Sequence, residues 1–313
     1  CEGILDGKVK AFISLGGNFV RAVPDTERME AAWRGLDLSV QVATKLNRNH
    51  LITGKTSYIL PCLVRTEIDE QASGKQIVTV EDSTTCIHAS RGVATPASKH
   101  LKSEPAIIAG IANATLAPNP NVPWDDWVAD YGLVRNAIAT TYPEAFHDFN
   151  DRLDTPGGFP RPIGARDRKW ETESGKANFL LPKALHSTFD DGMQPDILRL
   201  MTIRSNDQFN TTIYGYDDRL RGISGSRMIV MMNRQDMERL GLKTDDTVRL
   251  ETAVNDGIAR SVEGLRVLEY NVPRGCLAAY YPETNPLIPL YQHAEESMTP
   301  AAKSVPVRVC PVS

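Results

Sequence analysis

In the first half of the chain, short apolar runs alternate with segments whose apolar residues have the spacing of a helix. The run Lys10–Leu15 ends in two glycines and an asparagine, which predicts a strand followed by a tight turn. A helix is predicted over residues 24–36, since its apolar residues recur at i, i+3, i+4 and i+7. Because strands that alternate with helices favour a parallel sheet, we predict such a sheet here. Further strands are predicted at 38–44, 57–60 and 76–80, and a helix is predicted from Glu104.

The middle of the chain lacks this alternation of strands and helices. Two prolines at 118 and 120 interrupt the pattern, and a helix with an aromatic face is predicted from Trp124 through Tyr131. Glycine and proline then dominate residues 156–164, which predicts a loop-rich segment. Residues 175–181 predict one short strand after this loop.

The last third carries short apolar runs at regular spacing, which is typical of strands in a small barrel. One compact helix interrupts them, with Asn233 as its N-cap and Gly241 at its end. We therefore predict an α/β parallel-sheet (Rossmann-like) domain over residues 1–190 and a small closed β-barrel (double-psi-like) domain over 191–313. The predicted barrel strands are 198–203, 228–232, 248–251, 265–268 and 305–309.

Directly after the first predicted barrel strand, amide, hydroxyl and guanidinium side chains are unusually dense. Amides offer both donors and acceptors, and arginine offers a planar fork that suits phosphate. This composition fits a site for a flat ligand rich in nitrogen and oxygen. A polar connection whose side chains cap turns is the other interpretation, and the residues alone support both equally. The candidate ligand residues are Arg204, Asn206, Gln208, Phe209, Asn210, Thr211 and Thr212.

Charge and cysteine content exclude several classes of protein. A net charge of -4 argues against a general nucleic-acid or anionic-membrane surface. No apolar run approaches the roughly 20 residues that a bilayer crossing needs. The five cysteines and six histidines have neither Cys-x-x-Cys nor metal-ligand spacing, so we predict no metal-binding residue and reduced thiols in a cytoplasmic protein. The first residues have neither the basic region nor the apolar region of a signal peptide, and the sequence starts with Cys1 instead of methionine. We therefore expect it to be the C-terminal part of a longer chain.

A series of segments resembles, in order, the molybdopterin oxidoreductases, which include formate dehydrogenases, dimethyl sulfoxide reductases and periplasmic nitrate reductases. The turn at Leu15–Asn18 and the stretch Gly175–Phe179 resemble the family's third domain. Residues 206–214 and 285–290 are most similar to the formate dehydrogenase alpha subunit-like proteins. The segments that resemble the family's pterin-dinucleotide-binding domain are 203–212, 232–248, 272–276, 282–287 and 300–304.

The resemblance extends the set of candidate cofactor residues. On the residues alone an ordinary strand-to-helix turn is the better interpretation of Gly16, Gly17 and Asn18; the resemblance implies that this turn approaches a diphosphate, helped by the helix N-terminus behind it. Thr44 and Lys45 are expected on the same carboxyl edge of the sheet. Asn285 is implied to lie over the cofactor. Lys303 is a candidate phosphate or pterin contact.

The implied cofactor is molybdenum or tungsten bis(molybdopterin guanine dinucleotide). The metal ligand and a 4Fe-4S cluster are expected in the N-terminal half of the longer chain, so we assign no catalytic residue and expect the isolated chain to be inactive. The implied reaction is two-electron oxidation or reduction of a small substrate such as formate, with a separate electron-transfer partner.

Two departures from the family pattern stand out. Phe19 follows Asn18 where proline is common, and Asp245 occupies a usual glycine position. A non-catalytic module that binds a nucleotide or a protein stays open as the alternative function. A nicotinamide-dependent dehydrogenase ranks low, because no G-x-G-x-x-G follows a predicted strand.

Overall fold

The computed structural model describes residues 1–181 and 195–312. The helices, in chain order, are α1 (Glu2–Leu5), α2 (Phe19–Ala22), α3 (Thr26–Arg34), α4 (Glu104–Thr115), α5 (Trp124–Ala129), α6 (Tyr131–Thr141), α7 (Pro143–Phe146), α8 (Phe149–Leu153) and α9 (Arg234–Leu240). The strands are β1 (Ala11–Leu15), β2 (Leu38–Ala43), β3 (Thr56–Pro61), β4 (Glu70–Gln71), β5 (Gly74–Lys75), β6 (Val78–Glu81), β7 (Cys86–Ser90), β8 (Phe159–Pro160), β9 (Ile197–Ile203), β10 (Gln208–Phe209), β11 (Thr212–Ile213), β12 (Ile229–Met232), β13 (Thr247–Thr252), β14 (Ser261–Glu269), β15 (Cys276–Tyr280) and β16 (Val305–Pro311). Short 3₁₀ turns lie at Arg48–Leu51 and Asn285–Leu287.

The chain divides into two compact units. The first contains Cys1–Gln41, Leu46–Ile59 and the described residues from 195 onward. Strands β1, β2 and β3 form a three-stranded sheet in that order, and the prediction of a parallel sheet is confirmed. The predicted apolar face of α3 is also confirmed, because Met29 and Trp33 are fully buried against α1 and α2.

Six strands close into a barrel in the order β12-β14-β13-β16-β9-β15. Two of the neighbouring pairs are parallel, β12 with β14 and β9 with β15. Alternate residues of each strand point into a shared core, as the two-residue period of a strand requires. The closed barrel is therefore confirmed, while the labels double-psi-like and Rossmann-like stay predictions.

The helix inside the barrel begins and ends where its sequence predicts. The Asn233 side chain accepts a hydrogen bond from the backbone N–H of Gln235 at 2.9 Å, which satisfies a free donor of the first turn of α9. Gly241 ends the helix in the left-handed conformation, with φ 67°. Glycine adopts this conformation without the steric cost of a Cβ atom.

The second unit contains Val42–Lys45 and the residues from Leu60 to 181. The strand predicted at 76–80 is present as β6, but it pairs antiparallel with β7 and does not join the parallel sheet. The predicted aromatic helix is two helices, because Asp130 has extended backbone (φ -148°, ψ 107°) and its carboxylate caps α6 by accepting from Gly132 N at 2.8 Å.

Two predictions fall near residues 182–194. The strand predicted at 175–181 is wrong for the described residues, which form no strand there. Phe179, Leu180 and Leu181 are exposed and pair with no neighbouring strand, so the apolar pattern alone was misleading. The domain boundary predicted near 190 lies outside the described residues and stays a prediction.

Replacing Gly92 with alanine is expected to destabilise the second unit by about 3 kcal/mol, because overpacking against backbone cannot relax. A Cβ atom at this position would overlap with the carbonyl oxygen of Glu67. Glu67 is itself fixed, since its buried carboxylate accepts from Val64 N and Ala97 N at 2.9 and 2.6 Å. Gly110→Ala is the matched control, because a Cβ atom there meets nothing within 4 Å. Chemical denaturation of both variants checks this prediction, which fails if their stabilities agree.

Candidate functional site

Two loops leave one edge of the barrel side by side. Strands β9 and β15 are parallel neighbours, with Ile203 opposite Tyr280 at their carboxyl ends. The backbone N–H of Tyr281 donates to the carbonyl of Ile203 at 2.8 Å, which ties the two strand ends together. The loop at 204–212 and the loop at 281–287 therefore begin at the same place. All the candidate residues of the polar loop, together with Asn285, lie on these two loops.

Gln208 shapes the polar loop from inside. It is buried, and its Oε1 accepts from the backbone N–H of Ser205 at 2.9 Å. Its Nε2 donates to the carbonyls of Asn210 and Tyr281 at 2.8 and 2.6 Å. The amide is thereby committed to the protein on both sides. Its predicted role in cofactor binding is untested, and the structure gives it a role in holding the loop.

Arg227 is the residue that the sequence analysis missed. Its guanidinium is 4% exposed and donates to both carboxylate oxygens of Glu283, at 2.7 and 2.9 Å. It also donates to Ser205 Oγ at 2.5 Å and to Gln208 Oε1 at 3.0 Å. The guanidinium carbon lies 4.6 Å from the ring centre of Tyr280. The available signal was an arginine placed immediately before an apolar strand, where a buried charge needs partners.

Two cations at this edge have no carboxylate partner. Among the residues that the structure describes, neither Arg204 nor Lys303 has a carboxylate oxygen within 4 Å. Arg204 donates to Asn210 Oδ1 at 3.0 Å, and Lys303 Nζ donates to the carbonyl of Thr202. Burial and the charge of Arg204 lower the pKa of Lys303. Two neighbouring cations without a counter-charge favour an anionic ligand.

The rest of the polar loop forms a small hairpin. Strands β10 and β11 pair with Phe209 opposite Thr212, and Phe209 is 67% exposed. The Phe209 ring lies edge-on to Tyr214, with ring centres 5.9 Å apart. Asn206 donates to Asp207 Oδ2 at 2.6 Å. The hairpin thus presents aromatic and polar side chains outward. The predicted residues exposed or half-buried on it are Asn206, Phe209, Asn210, Thr211 and Thr212.

The glycine turn after β1 leaves one buried acceptor free. Gly16 and Gly17 have φ 66° and 77°, where a side chain would be strained. Asn47 Nδ2 donates to the carbonyl of Gly17 at 2.8 Å and fixes the turn. Asn18 Oδ1 is buried and has no hydrogen-bond partner among the described residues. The helix behind this turn, α2, has four residues, and the predicted contribution of its N-terminus to anion binding stays a prediction.

Asn285 joins the loop at 281–287 to this α/β part of the first unit. It is 2% exposed, and its Nδ2 donates to the carbonyls of Arg21, Ala22 and Val23 at 3.1, 2.9 and 2.7 Å. These carbonyls lie at the end of α2, so the amide caps the helix. Its predicted position over a cofactor stays a prediction.

Arg21 is a further cation that lies near the phenol of Tyr281. Burial, and then the charge of Arg48, lower the pKa of Arg21, whose guanidinium has no hydrogen bond within the described ranges. Burial raises the pKa of Tyr281 while Arg204 and Arg21 oppose that rise, so both cations lie near this phenol.

Thr44 and Lys45 are exposed directly after β2 and belong to the second unit. Their shared edge with the glycine turn stays a prediction.

Residues 1–181 and 195–312 contain no group of three or more His, Cys, Asp or Glu side chains that is placed to hold a metal ion. The five cysteines are free thiols. None of the helices in these ranges has the length and apolarity that a membrane crossing needs.

Comparison with known proteins places this edge in a named domain. Residues 198–306 match the family model of the molydopterin dinucleotide binding domain. The chain is 44% identical over 313 residues to an uncharacterized oxidoreductase of Mycobacterium tuberculosis, covering 98% of the chain and 40% of that protein. It is 45% identical over 312 residues to protein YdeP of Escherichia coli, covering 99% of the chain and 41% of that protein. The chain thus spans about two fifths of the curated relatives it matches.

A solved structure has the same fold. Acetylene hydratase from Pelobacter acetylenicus superposes with a TM-score of 0.61, over 99% of this chain and 46% of that one. Its sequence identity is 13%, so the likeness concerns the fold alone.

Proposed function

Because this chain belongs to the molybdopterin oxidoreductases, we propose that its barrel edge holds a molybdopterin guanine dinucleotide in a formate dehydrogenase-like enzyme. The observation that carries the proposal is the pair Arg204 and Lys303, which lies on the matched domain without a carboxylate partner among the described residues. A dinucleotide has a diphosphate, and a guanidinium beside an ammonium supplies its counter-charge.

A second observation, the buried acceptor of Asn18, also fits a bound dinucleotide. Asn18 Oδ1 is a buried acceptor that lacks a donor among the described residues, and leaving such an atom unsatisfied is costly. Guanine and pterin both carry amino and ring N–H donors at their edges. Asn18, Arg204 and Lys303 lie in the same compact unit of the chain. They would therefore hold the nucleotide and diphosphate parts of the cofactor.

In this proposal, the residues at this edge bind and orient the cofactor. The metal and its pterins supply the redox chemistry when bound, a two-electron change in a small substrate such as formate. Arg227 and Gln208 hold the polar loop so that Arg204 and Asn210 face outward. The metal ligand, a 4Fe-4S cluster and the docking site for an electron partner belong, in this proposal, to the rest of a longer protein. The isolated chain is then inactive.

The test is the cofactor content of the full-length protein. We expect the double variant Arg204→Ala with Lys303→Ala to bind the cofactor about tenfold or more weakly, since each charge-assisted contact contributes roughly 1.5–3 kcal/mol. Metal analysis and the fluorescence of oxidised pterin after acid release measure the occupancy. Arg219→Ala is the matched control, because that exposed arginine lies near Asp207, 3.8 Å away.

Each result of this test has a distinct meaning. Wild-type occupancy in the double variant contradicts the assignment of Arg204 and Lys303. Absence of both metal and pterin from wild-type protein made in a cofactor-competent host contradicts the redox function itself, and favours a non-catalytic module. Asn206→Ala is the narrower variant for the pterin contact, because Asn206 contributes no hydrogen bond to the Gln208 network.

A further inference from the structure

Three helices and one strand of the second unit enclose an open apolar cleft of about 440 Å³. Trp124 and Trp127 line it from α5, Val134 and Ile138 line it from α6, and Ile108 lines it from α4. On α5 and on α6 these residues are three or four positions apart, so they form one apolar face of each helix. Such faces are normally covered by a core, whereas here they open to a space of ligand size.

The walls of the cleft suit a flat apolar group. The rings of Trp124 and Trp127 meet edge to face, with centres 6.2 Å apart and planes at 75°. Both side chains are half-buried, and Val78 at the start of β6 is 38% exposed. Aromatic side chains held in this way offer a large contact area at a small entropy cost.

One cation lines the same cleft. Arg135 lies on the apolar face of α6, four residues after Tyr131. Its Nε donates to Asn150 Oδ1 at 2.5 Å and its Nη1 donates to the carbonyl of Ile77 at 2.8 Å, and both acceptors are neutral. Burial lowers the pKa of Arg135. A guanidinium that lies beside apolar walls and donates only to neutral oxygens can still form an ion pair with an anionic ligand.

The neighbouring charges form no ion pair with Arg135. In the described part of the chain, no carboxylate oxygen lies within 4 Å of Arg135. Asp130 acts on the guanidinium from beyond that distance, and its carboxylate is held at the start of α6 by the hydrogen bond from Gly132 N. Arg91, the other charge that acts on Arg135, is a cation and pairs with Asp154.

We propose that this cleft binds a small hydrophobic organic anion, an aromatic carboxylate or sulfonate, with its rings against Trp124 and Trp127 and its acidic group on Arg135. The occupant follows from complementarity: its apolar rings would fill the apolar cavity, and its negative charge would pair with Arg135, which has no ion pair among the described residues. All of the lining residues belong to the second unit, whereas Arg204 and Lys303 belong to the first.

The test compares two probes on the full-length protein, the anion anilinonaphthalene sulfonate and its uncharged counterpart phenylnaphthylamine. Thr79 is exposed and lines the cleft, so its substitution leaves the core intact. We expect Thr79→Glu to weaken sulfonate binding about tenfold through like-charge repulsion, and Thr79→Gln to leave it unchanged. Binding of the uncharged probe should change little in either variant.

Substitution of Arg135 provides a second test of the proposal. We expect Arg135→Gln to weaken binding of the sulfonate about tenfold while the uncharged probe still binds, and Arg135→Lys to retain part of the affinity. If Arg135→Gln does not fold, the Thr79 pair decides alone. Equal sulfonate affinity in Thr79→Glu and Thr79→Gln overturns the proposal. Metal content should match the wild type in the folded variants, which separates failure here from failure of the cofactor proposal.

Discussion

Replacing Arg227 with leucine is expected to destabilise the barrel by about 3 kcal/mol, because it leaves the mostly buried carboxylate of Glu283 without its guanidinium partner. Glu283 loses both of its guanidinium contacts, and its side chain is 14% exposed. Ser205 Oγ and Gln208 Oε1 lose a donor at the same time. Chemical denaturation measures the loss of stability. Cofactor content should fall as well, since the polar loop is no longer held in place.

Two further variants separate charge burial from packing. Glu283→Gln in the Arg227→Leu background should recover part of the stability, because it removes the unpaired charge. Arg234→Leu is the matched control on α9, where the pair with Glu238 is exposed and is expected to contribute under about 1 kcal/mol. Stability of Arg227→Leu within about 1 kcal/mol of the wild type would show that this network does not hold the barrel edge.

Local signals predicted those elements whose determinants are themselves local. Asn233 and Gly241 set the ends of α9 through a side-chain cap and a left-handed residue. The two glycines after β1 adopt positive φ as a tight turn requires. The closed barrel follows from strand spacing, since short strands at regular intervals have few other ways to satisfy their edges.

Residues whose partners are distant in the chain were not predictable in this way. Gln208 was predicted as a ligand residue because amides are versatile, and Asn285 because of the family resemblance. Both are buried and donate to backbone carbonyls. The partner of Asn285 lies more than 260 positions away. Arg227 and Glu283 carry no pattern that marks them as a pair until the barrel brings them together. The extended backbone of Asp130 likewise divides a helix that apolar spacing alone makes continuous.

Replacing Arg260 with leucine is expected to cost about 3–5 kcal/mol, because it strips a buried carboxylate of its main partner. Arg260 contacts both oxygens of Asp25, whose side chain is 1% exposed, and both oxygens of Asp256, at 3.0 and 2.8 Å. Asp25 also accepts from Leu290 N at 3.0 Å. The cluster therefore connects the start of α3 with the barrel inside the first unit. Thermal and chemical unfolding measure the loss.

Strand β14, which begins directly after Arg260, provides the matched control for this substitution. Arg266→Leu removes an ion pair with Asp245 that is exposed on both sides, so we expect a loss under about 1 kcal/mol. Asp25→Asn in the Arg260→Leu background should restore part of the stability. Equal losses in Arg260→Leu and Arg266→Leu would mean that burial of the cluster adds nothing to the stability of the unit.

The pH dependence gives an independent measurement of the same cluster. Hydrogen bonds from Arg260 lower the pKa of Asp256 below its usual range. A carboxyl group whose pKa is depressed by folding stabilises the protein above its unfolded pKa, about 3.9, and loses that stabilisation as the pH falls through the folded pKa. The stability difference between wild type and Arg260→Leu should therefore be constant near neutral pH and shrink in acid below about pH 4. A difference that stays constant through that range would show that the Asp256 carboxylate does not contribute through Arg260.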